Sequence, residues 1–246
     1  MRIPRGYHDG DLTPGAEIVL DDTLANHLTR VLRLRAGEPV QLFDGRGREV
    51  RAVLAVLDRK RTTARVEVDV AAVAESPLRL TLAQGICRGE KMDLVLQKAT
   101  ELGVRAILPL QTERTEVRLD AEREAKRMAH WRQVIASACE QCGRATLPQL
   151  AAPLALPQWL AALRAAEDHG EMKLVLDPGG ALDLRALVPA ESMTLAVGPE
   201  GGFAEAEIAL MQRAGFAGLR LGPRILRTET AGLAAIASLQ ARFGDL

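Results

Sequence analysis

The sequence predicts an α/β protein in two parts. A small β-rich domain covers residues 1–72, and a larger domain on a mostly parallel sheet covers residues 76–246. Three observations predict this. Short alternating apolar runs fill the first 72 residues, Ser76-Pro77 breaks the pattern, and beyond it apolar strands alternate with amphipathic helices.

In the first part, residues 17–20, 38–45, 49–57 and 63–70 read as strands, with Asp44-Gly45 and Gly47 marking a turn. Residues 23–34 are the exception. Leu24, His27, Leu28, Val31 and Leu32 recur at helical spacing, and Thr23 is the expected N-cap. The expected object is a small barrel carrying one helix. In the second part, strands are expected at 78–86, 104–110, 172–177, 193–198 and 219–222. Helices are expected at 91–103, 120–142, 157–170, 204–215 and 228–243. In the first of these, Met92, Val95, Leu96, Ala99 and Leu102 share a face, and Gly103 suits the stop. Short apolar strands between helices favour parallel pairing.

Composition narrows the function. Lys+Arg and Asp+Glu both number 32, so any nucleic-acid role needs a local basic patch rather than a global field. Aromatic residues are only 3%, which argues against base-stacking platforms. The cysteines, Cys87, Cys139 and Cys142, are odd in number and make no disulfide framework; with no secretory signal or apolar span in view, the expectation is a cytoplasmic protein. Cys139 and Cys142 form one C-x-x-C without a second pair or suitably spaced histidine, so no metal site is expected.

Open α/β sheets bind ligands at the carboxyl ends of their strands. Here three strands end in unusual loops: 177–180 (DPGG), 198–203 (GPEGGF) and 222–230 (GPRILRTET). Gly-Pro and Pro-Gly hold a rigid backbone close to a ligand with few side chains in the way. The second loop is not G-x-G-x-x-G, and no G-x-x-x-x-G-K-[ST] occurs. It also carries Glu200, which would repel a phosphate at a helix N-terminus. A ligand rich in donors, or positively charged, suits the loop better than a polyphosphate.

GPEGGF (198–203), followed by LGPRILRTETAGLAAIA (221–237), resembles the SPOUT methyltransferases. With residues 27–47, 91–104 and 140–149, the resemblance extends over nearly the whole chain and points to the 16S rRNA (uridine-1498-N3)-methyltransferases. It implies a PUA-like β-barrel followed by a SPOUT α/β domain with a C-terminal trefoil knot. It also implies S-adenosylmethionine as cofactor, 16S rRNA within the small ribosomal subunit as substrate, and a homodimer. Carried over by position, the cofactor residues are Leu176, with neighbours to Pro178, then Gly198, Pro199, Glu200, Gly201, Leu221, Gly222, Ile225, Leu226 and Arg227. S-adenosylmethionine carries a sulfonium, an amino group and hydroxyls, so it tolerates the carboxylate of Glu200.

Methylating N3 of a uridine requires loss of the ring proton, so a base or a stabiliser of the developing anion should help. Arg227 is the candidate for stabilising that charge. Glu200 is the candidate proton acceptor, or else a residue that orients the cofactor; His8 and His27 are the alternatives outside the loops. Residues 27–61 hold nine basic residues against four acids, and Arg30, Arg33, Arg35, Arg46 and Arg48 are the candidate RNA contacts, extended by Arg88, Lys91 and Arg144. The same fold on another RNA, or a non-catalytic assembly factor, remain alternative readings of the residues.

Overall fold

The computed structural model describes residues 3–58, 61–116, 121–165 and 170–246. The chain divides into two compact units: residues 1–75 with 136–147, and residues 76–135 with 148–246.

The first unit contains β1 (Arg5–Tyr7), β2 (Glu17–Val19), α1 (Asp22–Asn26), β3 (Pro39–Phe43), β4 (Glu49–Asp58) and β5 (Arg61–Val70). The strands form one sheet in the order β1-β3-β4-β5-β2, parallel at β1–β3 and antiparallel elsewhere. The expected barrel is thus a five-stranded mixed sheet, and among the described residues no pairing joins β1 to β2. Its core joins Leu24 and Leu28 to Val40, Leu42, Val50, Leu54 and Val66.

The expected helix over 23–34 is shorter than its pattern. Asp21 rather than Thr23 caps α1, its Oδ1 accepting from the N–H groups of Thr23 and Leu24 at 2.9 and 3.0 Å. A π-helical turn over His27–Val31 follows, and Arg33 at φ 57° ends it. The widened turn carries Val31 and Leu32 off the core face, leaving them 67% and 41% exposed.

The second unit is built in chain order from β6 (Arg79–Gly85), α2 (Glu90–Glu101), β7 (Ala106–Gln111), α3 (Ala121–Cys142), β8 (Gln149–Leu150), β9 (Leu154–Ala155), α4 (Leu156–Ala165), β10 (Met172–Leu176), β11 (Leu182–Asp183), β12 (Ser192–Val197), α5 (Glu205–Arg213), β13 (Ala217–Arg220) and α6 (Thr228–Phe243). The sheet order is β11-β13-β10-β12-β6-β7-β8, with β9 also on β7, and every pairing is parallel. The five strands expected here are present, and β8, β9 and β11 are added as two-residue segments too short to show a period.

Met92, Val95, Leu96 and Ala99 of α2 are buried as their spacing predicts, and Gly103 turns out of the helix at φ 80°. The small residues of α6 serve internal packing: a Cβ on Gly232 would stand 3.5–3.7 Å from Gln84 and Val197, which lie on β6 and β12.

The end of α3 belongs to the first unit, and Arg5 is bonded to it there. The Arg5 guanidinium donates to the carbonyls of Cys139, Glu140, Gly143 and Arg144 at 2.7, 3.2, 3.1 and 3.3 Å. These include orphan acceptors of a helix C-terminus, which one planar cation satisfies together. Its Nε bonds Glu49 at 2.6 Å, and it lies over the Phe43 ring. The Tyr7 N–H donates to Glu140 Oε1 at 3.0 Å. A contiguous division at residues 72–76 therefore omits 136–147 from the first unit.

Candidate functional site

Parallel pairing puts the carboxyl ends of β12, β10 and β13 on one side of the sheet, next to one another. The loops that leave these ends line a single cavity of about 670 Å³, within the range of small-molecule sites. Leu176, Gly198, Pro199, Glu200, Gly201, Leu221, Gly222, Ile225, Leu226 and Arg227 all line it. The residues marked by sequence for one ligand thus converge, although they are spread along the chain from 176 to 227.

Each loop has a local cause. After β10, the Gly179 N–H donates to Asp177 Oδ1 at 2.8 Å, and a Cβ on Gly180 would press on the Gly218 backbone at 2.5 Å. After β12, a Cβ on Gly198 would lie 2.9 Å from the backbone of Gly202 and Phe203. Gly85, at the end of β6, lets Pro199 approach within 2.5 Å of where its own Cβ would be. Gly202 and Gly222 have φ 68° and 75°, with no atom within 4 Å of a Cβ position, so the loop backbone is open at both.

A buried network fixes the loop from beneath. Thr228 Oγ1 donates to the Gly198 carbonyl at 2.5 Å, and Gln84 Nε2 donates to Thr228 Oγ1 at 3.2 Å and to the Gly85 carbonyl at 3.0 Å. Cys87 is buried beside them. Burial first, then the Glu200 charge, pushes its thiol up to about 11, so it stays protonated.

Glu200 does not point its charge wholly into the cavity. Its Oε1 accepts from the Arg88 N–H at 3.0 Å and lies 3.4 Å from Lys91 Nζ at the start of α2. Burial pushes its carboxyl upward, but the N–H groups of Arg88 and of its own backbone, with the Lys91 ammonium, prevail and hold it below the usual carboxylate range. The sign follows directly. The folded value is depressed, so this group stabilises the fold above its unfolded pKa, and that contribution is lost as pH falls through the folded value. A carboxylate held ionised in this way is a weak proton acceptor near neutrality.

Arg227 is the N-cap of α6, is exposed, and makes no ion pair among the described residues. At Gly201 a Cβ would meet Arg114 side-chain atoms at 3.1–3.3 Å, so this glycine also makes room for a neighbouring side chain. Arg114, which the sequence does not single out, donates to the Gly201 carbonyl at 2.8 Å and lines the cavity. Its signal is absent from the sequence because it sits on the β7 loop, outside the three glycine-rich ones. Glu207 joins the same loop to α5, accepting from the N–H groups of Glu113 and Ala204 at 2.8 and 2.9 Å.

The basic residues divide. Arg30, Arg33 and Arg35 are exposed and carry no ion pair among the described residues. Arg46 pairs with Asp9, and Arg48 with Asp69, at 2.9 and 2.8 Å. Arg88 pairs with Glu116, and Lys91 with Glu200. Arg144, expected on the RNA surface, is instead 8% exposed with its guanidinium on Glu75, so burial withdraws it from any surface role. Arg59 and Lys60 lie outside the described residues. His8 and His27 lie in the first unit; burial holds His8 below its ordinary value, against the nearby carboxylates of Asp21 and Asp9. Among the described residues no group of histidines, cysteines and acids could hold a metal, and no helix is long and apolar enough to cross a membrane.

Comparison with known proteins places this geometry. The model of an RNA methyltransferase domain matches residues 74–240, and that of an RNA methyltransferase PUA domain matches residues 20–67. Ribosomal RNA small subunit methyltransferase E of Buchnera aphidicola (strain APS) is 31% identical over 99% of this chain and 95% of its own. The Mycobacterium tuberculosis protein of that name is 35% identical over 92% of this chain and 86% of its own. Among solved structures, ribosomal RNA small subunit methyltransferase E from Neisseria gonorrhoeae, bound to S-adenosyl methionine, is 40% identical with a TM-score of 0.90 over 100% of both chains. A Legionella pneumophila protein solved with bound cofactor SAM is 41% identical with a TM-score of 0.94, also over 100% of both chains.

Proposed function

The chain belongs to the RNA methyltransferase family with an associated PUA domain, and on that premise we propose that it transfers a methyl group from S-adenosylmethionine to N3 of a uridine, equivalent to position 1498, in the 16S rRNA of the small ribosomal subunit. The observation that carries this reading is the convergence of three strand-end loops on one cavity of ligand size, in a chain 40% identical to one with S-adenosyl methionine bound. The homodimer, the trefoil knot of the C-terminal segment and the cytoplasmic location belong to the same reading.

The residues present fit the cofactor. The loop backbone is open at Gly202 and Gly222, and the carboxylates of Asp177 and Glu200 line the cavity. Leu176, Gly198, Pro199, Gly201, Leu221, Gly222, Ile225 and Leu226 would hold it. When bound, S-adenosylmethionine supplies an electrophilic methyl group on its sulfonium. Arg227 would hold the negative charge that develops on the uracil as its N3 proton leaves. Glu200, fixed on Arg88 and Lys91, positions the second loop and remains ionised. The target base must be unpaired to be reached, so the exposed arginines 30, 33 and 35 would hold RNA backbone rather than read sequence.

The first test is methyl transfer from labelled S-adenosylmethionine to small ribosomal subunits lacking the modification, followed by nucleoside digestion. Label in 3-methyluridine is the expected result. Label in a different nucleoside would move the target while keeping the reaction class, and no label would overturn the reading.

Glu200→Gln separates positioning from proton transfer. Glutamine keeps an acceptor for the Arg88 N–H but loses the attraction of Lys91. The expected result is cofactor affinity reduced by less than about tenfold, the size of one modest charge contact, with turnover at saturation nearly retained. Turnover lower by about 100-fold or more would make Glu200 the proton acceptor after all.

A further inference from the structure

Resting on the methyltransferase reading above, we propose that Arg220 and Arg224 form a phosphate-binding subsite of the cavity, which holds the RNA backbone beside the target nucleotide and takes no part in holding the cofactor. The charge of the cavity lining motivates this. Its ionisable residues are the arginines 114, 220, 224 and 227 against the acids Asp177 and Glu200. Glu200 already faces Lys91 and the Arg88 N–H, and Asp177, which accepts from the Gly179 N–H through one oxygen, leaves one unpaired carboxylate charge against the four guanidinium groups. The cavity therefore carries an excess of guanidinium. S-adenosylmethionine has a sulfonium and an ammonium against one carboxylate, so it is itself a cation. Guanidinium in excess does not serve such a ligand; it serves a second, anionic one that meets the first in the same cavity.

Arg220 and Arg224 are the members of the set with no prior commitment. Arg114 spends a donor on the Gly201 carbonyl, and Arg227 sits at the helix start where the reacting base is expected. Arg220 closes β13 and Arg224 follows Pro223 in the same loop. Both are exposed, and among the described residues neither makes an ion pair or a side-chain hydrogen bond. A run of like charges left without counter-ions on one loop is mildly destabilising by itself; an RNA phosphate neutralises it and matches the planar guanidinium fork. The three basic residues expected to extend the RNA surface beyond 27–61 are by contrast all paired, Arg88 with Glu116, Lys91 with Glu200 and Arg144 with Glu75.

The test is fluorescence anisotropy of a labelled 16S rRNA transcript, titrated without cofactor across a series of KCl concentrations. Arg220→Gln and Arg224→Gln should each flatten the slope of log K against log[salt] by about 0.7, and the double variant by about 1.4, as expected for single-stranded contacts. Arg224→Lys, which keeps the charge, should retain the wild-type slope. Calorimetry should find cofactor Kd within about twofold of wild type in every variant. An unchanged slope would overturn the subsite. So would a cofactor Kd weakened by about tenfold or more, which would assign these arginines to the cofactor carboxylate. If the wild-type protein neither binds the transcript nor methylates subunits, the functional reading itself falls and the subsite with it.

Discussion

Arg227→Ala is expected to lower turnover on small-subunit rRNA by about 100- to 1,000-fold, the usual effect of deleting one preorganised donor at a site of developing negative charge. Arg227 stands at the N-cap of α6, where the helix dipole also favours an anion. No acid pairs with it among the described residues: Glu229, two residues on, makes no ion pair there, and Glu200 is occupied by Arg88 and Lys91. Its side chain is exposed and caps nothing, so the variant should unfold at the wild-type midpoint. Cofactor affinity by calorimetry should stay within about threefold, less than one lost hydrogen bond would produce. Reduced affinity with unimpaired turnover would make Arg227 a binding residue only. Arg227→Lys should recover little, since a point charge does not reproduce the planar fork.

Arg5→Ala is expected to destabilise the protein by about 3–5 kcal/mol, the range for removing one partner of a buried ion pair. The side chains of Arg5 and Glu49 are 7% and 3% exposed, so the deletion strands a buried carboxylate. It also removes the guanidinium donor from the carbonyls of Cys139, Glu140, Gly143 and Arg144, of which Cys139 keeps the Gly143 N–H at 3.1 Å, and it removes a cation from the face of Phe43. Urea unfolding followed by circular dichroism measures the loss. Arg5→Met with Glu49→Gln, which removes both charges, should recover part of it. A loss below about 1 kcal/mol for Arg5→Ala would place the pair with ordinary surface contacts and refute its role in holding 136–147 to the first unit.

Much of the site is legible in the sequence. Gly-Pro and Pro-Gly at the ends of three apolar runs mark tight loops by local backbone chemistry, and the parallel sheet then brings those loops together. Gly103 as a helix stop and the buried face of α2 follow from φ preference and period. The turn over 27–31 defeats the same reasoning. The period of Leu24, Leu28 and Val31 is helical on paper, but a π-helical turn shifts the register and puts Val31 into solvent.

By itself the sequence determined the longer elements, their order, the loops that line the cavity and the family, because strand and helix periods, turn residues and contiguous motifs are properties of neighbours along the chain. Only the tertiary structure decided where the charges go. By its position in the loop Glu200 suits a cationic ligand, yet it is bonded to Arg88 and Lys91; Arg144 has the pattern of a surface cation, yet it is buried on Glu75; Arg5 carries no motif, yet it gathers the end of a helix that begins at Ala121. A charged side chain takes whichever partner packing brings within a few ångströms. In a folded chain that partner is set by the sheet order and the burial of both groups, neither of which is written in the spacing of residues around it.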